Sequence, residues 1–391
     1  MSVPLNVLHL INTGGPGGAE TVYVEIVRHL DPERWHSVAV VPNREWMYDQ
    51  LKAMDTEMVM TRSRVPFDRR YFVRLAQVVR KRPIDLVHSH LLGPSVTAGL
   101  LGVFLRVPVV STIHGHGDLS SGESYRRIKF WAIRHGVTRV VFVSEPLRQA
   151  FLDATPLAPE KTTVIPNGID AGLYAPGRDE AARAELGIAP DEFVIGAVGN
   201  LRRAKGYDVL LRAAALLKER GTGYRFVVVG QASGDFFRDV FDELRGLRTQ
   251  LGVERDVLFT DFREDVPRLM RAFDLYAITS HTEGFSLSTV QAMACGLPVV
   301  ATRCGGPEQI LDGGRAGVLV DANAPEQLAD AVERLRQDAA SRARLGATAR
   351  QVALQRYAVE AQVRAYEEVY EQCVADRAGS IPHRSPALEA R

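Results

Sequence analysis

The stretch FVIGAVGNLRRAKGYDVLLRAAALLKERGTGYRFVVVG, residues 193–230, decides the fold. Phe193–Gly199 is a short apolar run that ends on glycine. Tyr207–Arg220 reads as a helix, and Arg225–Gly230 is a second β-branched run. Strand, turn, helix and strand in that order form the crossover unit of a parallel sheet covered on both faces.

The same alternation extends in both directions. Upstream, the strand-like runs are Val7–Ile11, Ser37–Val41, Asp85–His90, Val109–His114, Arg139–Ser144 and Thr163–Pro166. Helical stretches lie between them, among them Gly18–Leu30, Asp68–Arg82 and Ser95–Leu105. Downstream, Val257–Thr260, Leu275–Ser280, Pro298–Arg303 and Val318–Val320 continue the second set, with helices at Phe236–Leu251 and Leu287–Cys295. The pattern predicts an α/β protein of two doubly wound, Rossmann-like domains. We read domain boundaries at 1–170 and 171–355, a last helix over 356–375 and an unstructured tail over 376–391.

Composition agrees. Of 391 residues, 46% are hydrophobic and 24% charged, as in soluble globular chains with large cores. The net charge of +1 lacks the basic excess of a nucleic-acid binder. Three cysteines, Cys295, Cys304 and Cys373, contain no CxxC pair and fit neither a disulfide framework nor a zinc site. Met1–Asn6 has no basic region of a signal peptide, and the apolar stretch Val96–Ile113 is interrupted by Arg106 and Pro108. We expect a cytoplasmic protein, at most peripheral to the inner face of a membrane.

Candidate chemistry lies where strands end. Thr13–Glu20, with Gly15 and Gly17, opens the first helix and allows backbone N–H groups to approach a ligand. The loop is neither a dinucleotide fingerprint nor a P-loop, and its plain structural reading is a tight turn. Gly199–Gly206 opens the second domain's first helix, placing Arg202, Arg203 and Lys205 beside a helix N-terminus as an anion site. Glu283, Gly284, Phe285, Ser286 and Leu287 follow the strand ending at Ser280. Glu283 and Gln291, eight residues apart, are expected near one face of a helix. His114 ends a strand before Gly115, where it serves a ligand or is simply a satisfied structural histidine. His88 and His90 end another strand, at least one of them read as a loop cap. No Asp-x-Asp at a strand end seats a divalent ion, so the cations and helix dipoles are left to neutralise phosphate, and we expect a metal-independent site.

SHTEGFSLSTVQAMACGLPVVATRCGGPEQILDGGRAGVLV, residues 280–320, resembles the signature segment of glycosyltransferase family 4. The likeness takes in Gly14–Glu20, Thr112–Gly115, Ile165–Asp170 and Gly199–Gly206, covering roughly Val7 to Tyr370 in the expected order. It implies the GT-B fold, two Rossmann-like domains facing across a cleft, with Arg356–Cys373 crossing back to the first domain. It also implies a retaining transferase that needs no metal or other cofactor beyond its nucleotide-sugar co-substrate. By the same resemblance Arg202 and Lys205 hold the diphosphate, Glu283 orients the donor sugar and His114 lines the sugar pocket. Gly15, Gly17, Gly199, Phe285, Ser286, Leu287 and Gln291 complete donor binding.

Two departures stand out. Gln291 occupies the position of the family's second glutamate, which usually holds the ribose. Asn200 follows Gly199 where many members carry arginine, so that role falls to Arg202. The expected function is hexosyl transfer from a nucleotide sugar, UDP- before GDP-linked, to a glycan, lipid-linked or small-molecule acceptor in bacterial envelope or exopolysaccharide assembly. The rival readings are another GT-B enzyme, such as a nucleotide-sugar epimerase, and a catalytically silent sugar-nucleotide-binding partner protein. Residues 61–82, with eight Arg/Lys against Asp68 and with Phe67, Tyr71, Phe72, Val73 and Leu75 interleaved, are a candidate membrane contact. The plain alternative there is an amphipathic crossover helix.

Overall fold

A computed structural model of the chain describes residues 3–65, 67–119, 125–221, 223–230 and 235–380. The chain forms two units, Met1–Ile165 with Val363–Arg391, and Pro166–Gln362.

The first unit is built on a seven-stranded, all-parallel sheet. Its strands are β1 (Leu5–Leu10), β2 (Trp35–Val41), β3 (Glu57–Met60), β4 (Ile84–His90), β5 (Val109–Ile113), β6 (Arg139–Phe142) and β7 (Thr162–Val164). Their order is β3-β2-β1-β4-β5-β6-β7, so the direction of winding reverses between β1 and β4. Val7, Leu8, Val87, Val109 and Val110 are all buried, since helices cover both faces of the sheet. Strand β3 is the one the sequence pattern does not reveal. It is a four-residue edge strand in which Val59 alone is buried and Glu57 and Met60 are exposed.

Helix Arg69–Lys81 starts where Asp68 accepts hydrogen bonds from the backbone N–H groups of Arg70 (2.9 Å) and Tyr71 (3.2 Å). Helices Leu92–Leu105 and Arg126–Gly136 pack backbone to backbone. A Cβ at Gly99 would meet the Ala132 carbonyl, and one at Gly136 would meet the Gly99 carbonyl.

The last helix, Val359–Ser380, passes out of the second unit and, from Val363 onward, belongs to the first. There the Tyr366 hydroxyl meets Thr112 Oγ1 at 3.0 Å, and Tyr370 meets His88 Nδ1 at 2.6 Å. Glu367 accepts from the Asp31 backbone N–H at 3.0 Å. The helix continues through Ser380, past the end at residue 375 read from sequence. Residues 381–391 of the expected tail lie outside the described residues.

The second unit repeats the plan with six parallel strands: β8 (Phe193–Val198), β9 (Tyr224–Val229), β10 (Val257–Thr260), β11 (Leu275–Ile278), β12 (Val299–Thr302) and β13 (Val318–Val320). Their order is β10-β9-β8-β11-β12-β13, with the reversal between β8 and β11. The stretch from Phe193 onward pairs in register with its own crossover partner, Phe193 opposite Tyr224 through Val198 opposite Val229. Ile195, Leu210, Leu217, Phe226 and Val228 form its core with Val332.

The two passages between units fall at Ile165/Pro166 and Gln362/Val363, against 170/171 and 355/356 from the sequence. Backbone pairing explains the first shift. Ile169 donates to the Tyr357 carbonyl and accepts from Val359 N, while Gly168 N donates to Gln362 Oε1 at 2.9 Å. Residues 167–170 are thus tied to the second unit. No helix among the described residues is long and apolar enough to cross a membrane.

Candidate active site

In an open parallel sheet, ligands bind outside the carboxyl ends of the strands where winding reverses. In the second unit that place lies between β8 and β11. The loop after β8 carries Gly199, Arg202 and Lys205, and the loop after β11 carries Ser280 and Glu283. Lys205 Nζ stands 2.6 Å from Glu283 Oε1, joining the two loops. Ser280 Oγ donates to the same carboxylate oxygen at 2.8 Å.

The loops are fixed underneath. Thr279 Oγ1 donates to the Lys205 carbonyl at 3.0 Å, His281 N donates to the Ala204 carbonyl, and Thr302 Oγ1 donates to the Ser280 carbonyl. Gly206, at φ +61°, makes this approach possible, because a Cβ there would collide with the Thr279 carbonyl. The result is a partly buried ammonium with one donor held by Glu283 and further donors left for an oxyanion. Arg202 is exposed beside it, and Arg203 is directed to an ion pair with Glu243.

Glu283 is not on a helix, contrary to the expectation that it shares a helical face with Gln291. It pairs in extended form with Gly305: Glu283 N donates to the Cys304 carbonyl, and Gly306 N donates to the Glu283 carbonyl. The helix begins only at Leu287, with Ser286 as its N-cap. Gln291 is buried on that helix. No hydrogen bond or ion pair joins it to the Lys205–Glu283 pair among the described residues. Phe285 turns its ring edge-on to Tyr357, centroids 5.7 Å apart, so its backbone is what it can offer a ligand. The first amides at Leu287 have no intrahelical acceptor, a ready place for phosphate.

Sequence reading missed the supports of this site: Ser280, Thr302 and Glu308. Glu308 Oε2 accepts from Cys304 N (3.0 Å) and Gly305 N (2.6 Å) and so shapes the Gly305–Gly306 turn. The signal for Ser280 and Thr302 is position alone, at the ends of adjacent strands β11 and β12, while Glu308 lies on the short helix Gly306–Ile310 that follows. Burial pushes the Cys304 thiol up to about 12, which keeps it protonated and unreactive.

The first unit offers a second set of groups at the carboxyl edge of its sheet. In the glycine loop, the crowded positions are Gly14, where a Cβ would meet Asn43, and Gly17, where it would meet Glu20. Gly15 is open, its nearest neighbour being Glu45 Oε2 at 3.5 Å from a Cβ. With two carboxylates this close, the loop suits hydroxyl groups better than phosphate.

His114 follows β5 and lies 3.0 Å, Nε2 to Nδ1, from His90. His90 and His88 are fully buried and cap no loop, which corrects the reading of one of them as a cap. His88 Nε2 contacts Thr112 Oγ1 at 2.8 Å, and His9 Nε2 contacts Ser37 Oγ at 3.2 Å. Burial pushes His9 and His114 down to about 3 and holds His88 and His90 well below the usual imidazole range. All four are neutral at pH 7.

Comparison with known proteins meets this geometry. The family description "Glycosyltransferase Family 4" matches residues 16–173, and "Glycosyl transferases group 1" matches residues 178–352. A D-inositol 3-phosphate glycosyltransferase of Corynebacterium jeikeium is 35% identical over 322 residues, 78% of this chain and 75% of that protein. Anabaena Alr3699/HepE, solved in complex with UDP and glucose, superposes with a TM-score of 0.82 at 26% identity, covering 96% of this chain and 100% of that one. A glycosyltransferase of Rickettsia africae shares the fold at a TM-score of 0.83 and 17% identity, covering 95% and 99%. Two doubly wound, parallel-sheet units of this kind define the GT-B class. The chain belongs to glycosyltransferase family 4 and is a glycosyltransferase.

Proposed function

We propose that the enzyme moves a hexosyl unit, with retention, from a UDP-sugar to a phosphorylated small-molecule acceptor in bacterial envelope or exopolysaccharide assembly. The observation that carries this reading is the Lys205–Glu283 pair at the reversal point of the second sheet. Negative charge builds on the departing diphosphate as the sugar becomes oxocarbenium-like. Lys205 and Arg202 meet that charge, each contact supplying roughly 1.5–3 kcal/mol. No metal enters this scheme. Glu283 holds the ammonium in place and receives a sugar hydroxyl, and His114 donates to a substrate oxygen.

UDP fits the Anabaena neighbour's ligand, and a phosphorylated acceptor fits the name of the Corynebacterium relative. The test is UDP release from UDP-glucose and UDP-N-acetylglucosamine without acceptor, then with D-inositol 3-phosphate. Slow hydrolysis that accelerates with acceptor supports the reading. No turnover with or without acceptor, while UDP still stabilises the protein thermally, rejects it in favour of a silent sugar-nucleotide-binding partner protein.

The same proposal includes an anionic membrane surface at residues 61–82. Arg62, Arg64, Arg69, Arg70 and Arg74 are exposed, as are Val65, Phe67 and Val73. Tyr71, Leu75, Ala76 and Val78 face the core, so crossover packing accounts for much of the apolar periodicity. The membrane contact therefore rests on the Arg face with Val65, Phe67 and Val73.

A further inference from the structure

His90 has no part in the scheme above, yet it is bonded to His114. Its ring is fully buried and lies nearly parallel to that of His114, tilted by 20° with centroids 5.2 Å apart. His88 packs on it at 4.3 Å and Tyr23 meets it edge-on at 5.2 Å, so its plane is held from two further sides. His90 Nδ1 shares one hydrogen bond with His114 Nε2, and His90 Nε2 is buried without any partner.

A hydrogen bond between two neutral imidazoles contains one proton, and two arrangements supply it. In the first, His114 donates from Nε2. His90 then accepts at Nδ1, carries its own proton on Nε2 and buries an N–H with nothing to receive it. In the second, His90 donates from Nδ1 and leaves only a lone pair at the unpartnered Nε2. Orphaned buried donors are rarer than under-satisfied acceptors, because an N–H stripped of water loses its whole hydrogen bond. The second arrangement wins. Accepting at Nε2 then forces the His114 proton onto Nδ1.

We propose that His90 is a positioning residue: by donating from Nδ1 it fixes His114 as the Nδ1–H tautomer, a neutral donor aimed at a substrate oxygen. This rests on the reading of His114 as a substrate-contacting group. The device has the logic of a second group setting the tautomer of a working histidine.

The test has two arms. In wild-type protein labelled with ¹⁵N-histidine, and assigned by comparison with His114→Gln, the His114 resonances should show a protonated Nδ1 and a bare Nε2. A protonated Nε2 in wild type overturns the proposal without any variant having to fold. In the kinetic arm, His90→Phe removes the donor and His90→Asn returns an amide N–H close to the position of Nδ1. His90→Phe should lower kcat for UDP-sugar turnover by about tenfold or more while the donor KM holds, as for other partners of working side chains. His90→Asn should restore most of the loss. Equal loss in both variants at equal stability overturns it. Absence of any UDP-sugar turnover would instead reject the functional reading and leave the NMR arm to decide the tautomer.

Discussion

Acid should unfold the first unit well before the second, and four histidines set the size of the effect. His9, His88 and His90 are fully buried, and His114 is partly shielded and bonded to His90. All four are held neutral far below the ordinary imidazole range by burial. In the unfolded chain each recovers a pKa near 6.5. As pH falls through 6.5 the unfolded state therefore binds protons that the folded state refuses. Stability is full above that pH and declines below it. At pH 5.5 each such histidine costs about 1.4 kcal/mol relative to pH 7.5, and four together cost about 5.5 kcal/mol, a large part of a domain's usual 5–15.

The measurement is convenient because all three tryptophans, Trp35, Trp46 and Trp131, lie in the first unit. Urea unfolding followed by tryptophan fluorescence at pH 7.5, 6.5 and 5.5 reports that unit alone. The stability should fall by about 5.5 kcal/mol across the range, with uptake approaching four protons on unfolding at the acid end. His9→Gln should remove about a quarter of the pH dependence whatever it does to stability at pH 7.5. A stability that stays level between pH 7.5 and 5.5, or an uptake below one proton, would refute the reasoning.

Lys205→Ala and Arg202→Ala should each lower turnover at least about tenfold with the fold intact, since losing a phosphate-facing cation costs about 1.5–3 kcal/mol; full activity in the double variant would remove both from the site. Activity abolished by EDTA and restored by Mg²⁺ would sink the metal-free scheme. Gln291→Glu should tighten UDP binding in calorimetry, because a carboxylate accepts stronger hydrogen bonds from ribose hydroxyls than an amide does; unchanged or weaker binding would place Gln291 away from the ribose. Tyr370→Phe should destabilise the first unit by about 1–3 kcal/mol by leaving His88 Nδ1 unpaired, whereas a neutral result would mean water replaces the hydroxyl. Binding to anionic liposomes should weaken with added salt and drop when Arg69, Arg70 and Arg74 become Gln; equal binding to neutral liposomes would refute the membrane surface.

The fold was legible because parallel strands are buried on both faces and stand out as unbroken apolar runs, as β8 and β11 do. Legibility failed where that condition failed, at β3, with a single buried residue on an exposed edge. The loops that carry Lys205 and Glu283 were legible as glycine-marked strand ends. Their meeting was not, because residues 78 positions apart come together only through the neighbouring of β8 and β11. Glu283 was misplaced for a related reason. An eight-residue spacing fits two helical turns, but Gly305 and Gly306 offer the backbone a bridge that spacing alone does not show.

The histidine cluster marks a deeper limit, and one signal for it was present. His88 and His90, two apart on a strand, must share one face of β4. Parallel registration then places His9 of β1 opposite His88, and Thr112 of β5 opposite His90. Nothing in those segments announces what satisfies so many polar rings. Some partners are local, Ser37 for His9 and Thr112 for His88 Nε2. His88 Nδ1, however, is met from the far end of the chain by Tyr370, which sits four residues after Tyr366, the partner of Thr112, on one face of the returning helix. A core that buries imidazoles needs fixed hydroxyls beside them, since water cannot reach. The returning helix thus does more than cover apolar surface. It supplies the hydroxyls that satisfy His88 on β4 and Thr112 on β5, next to the edge where His114 stands, which ties that edge to the last helix of the chain.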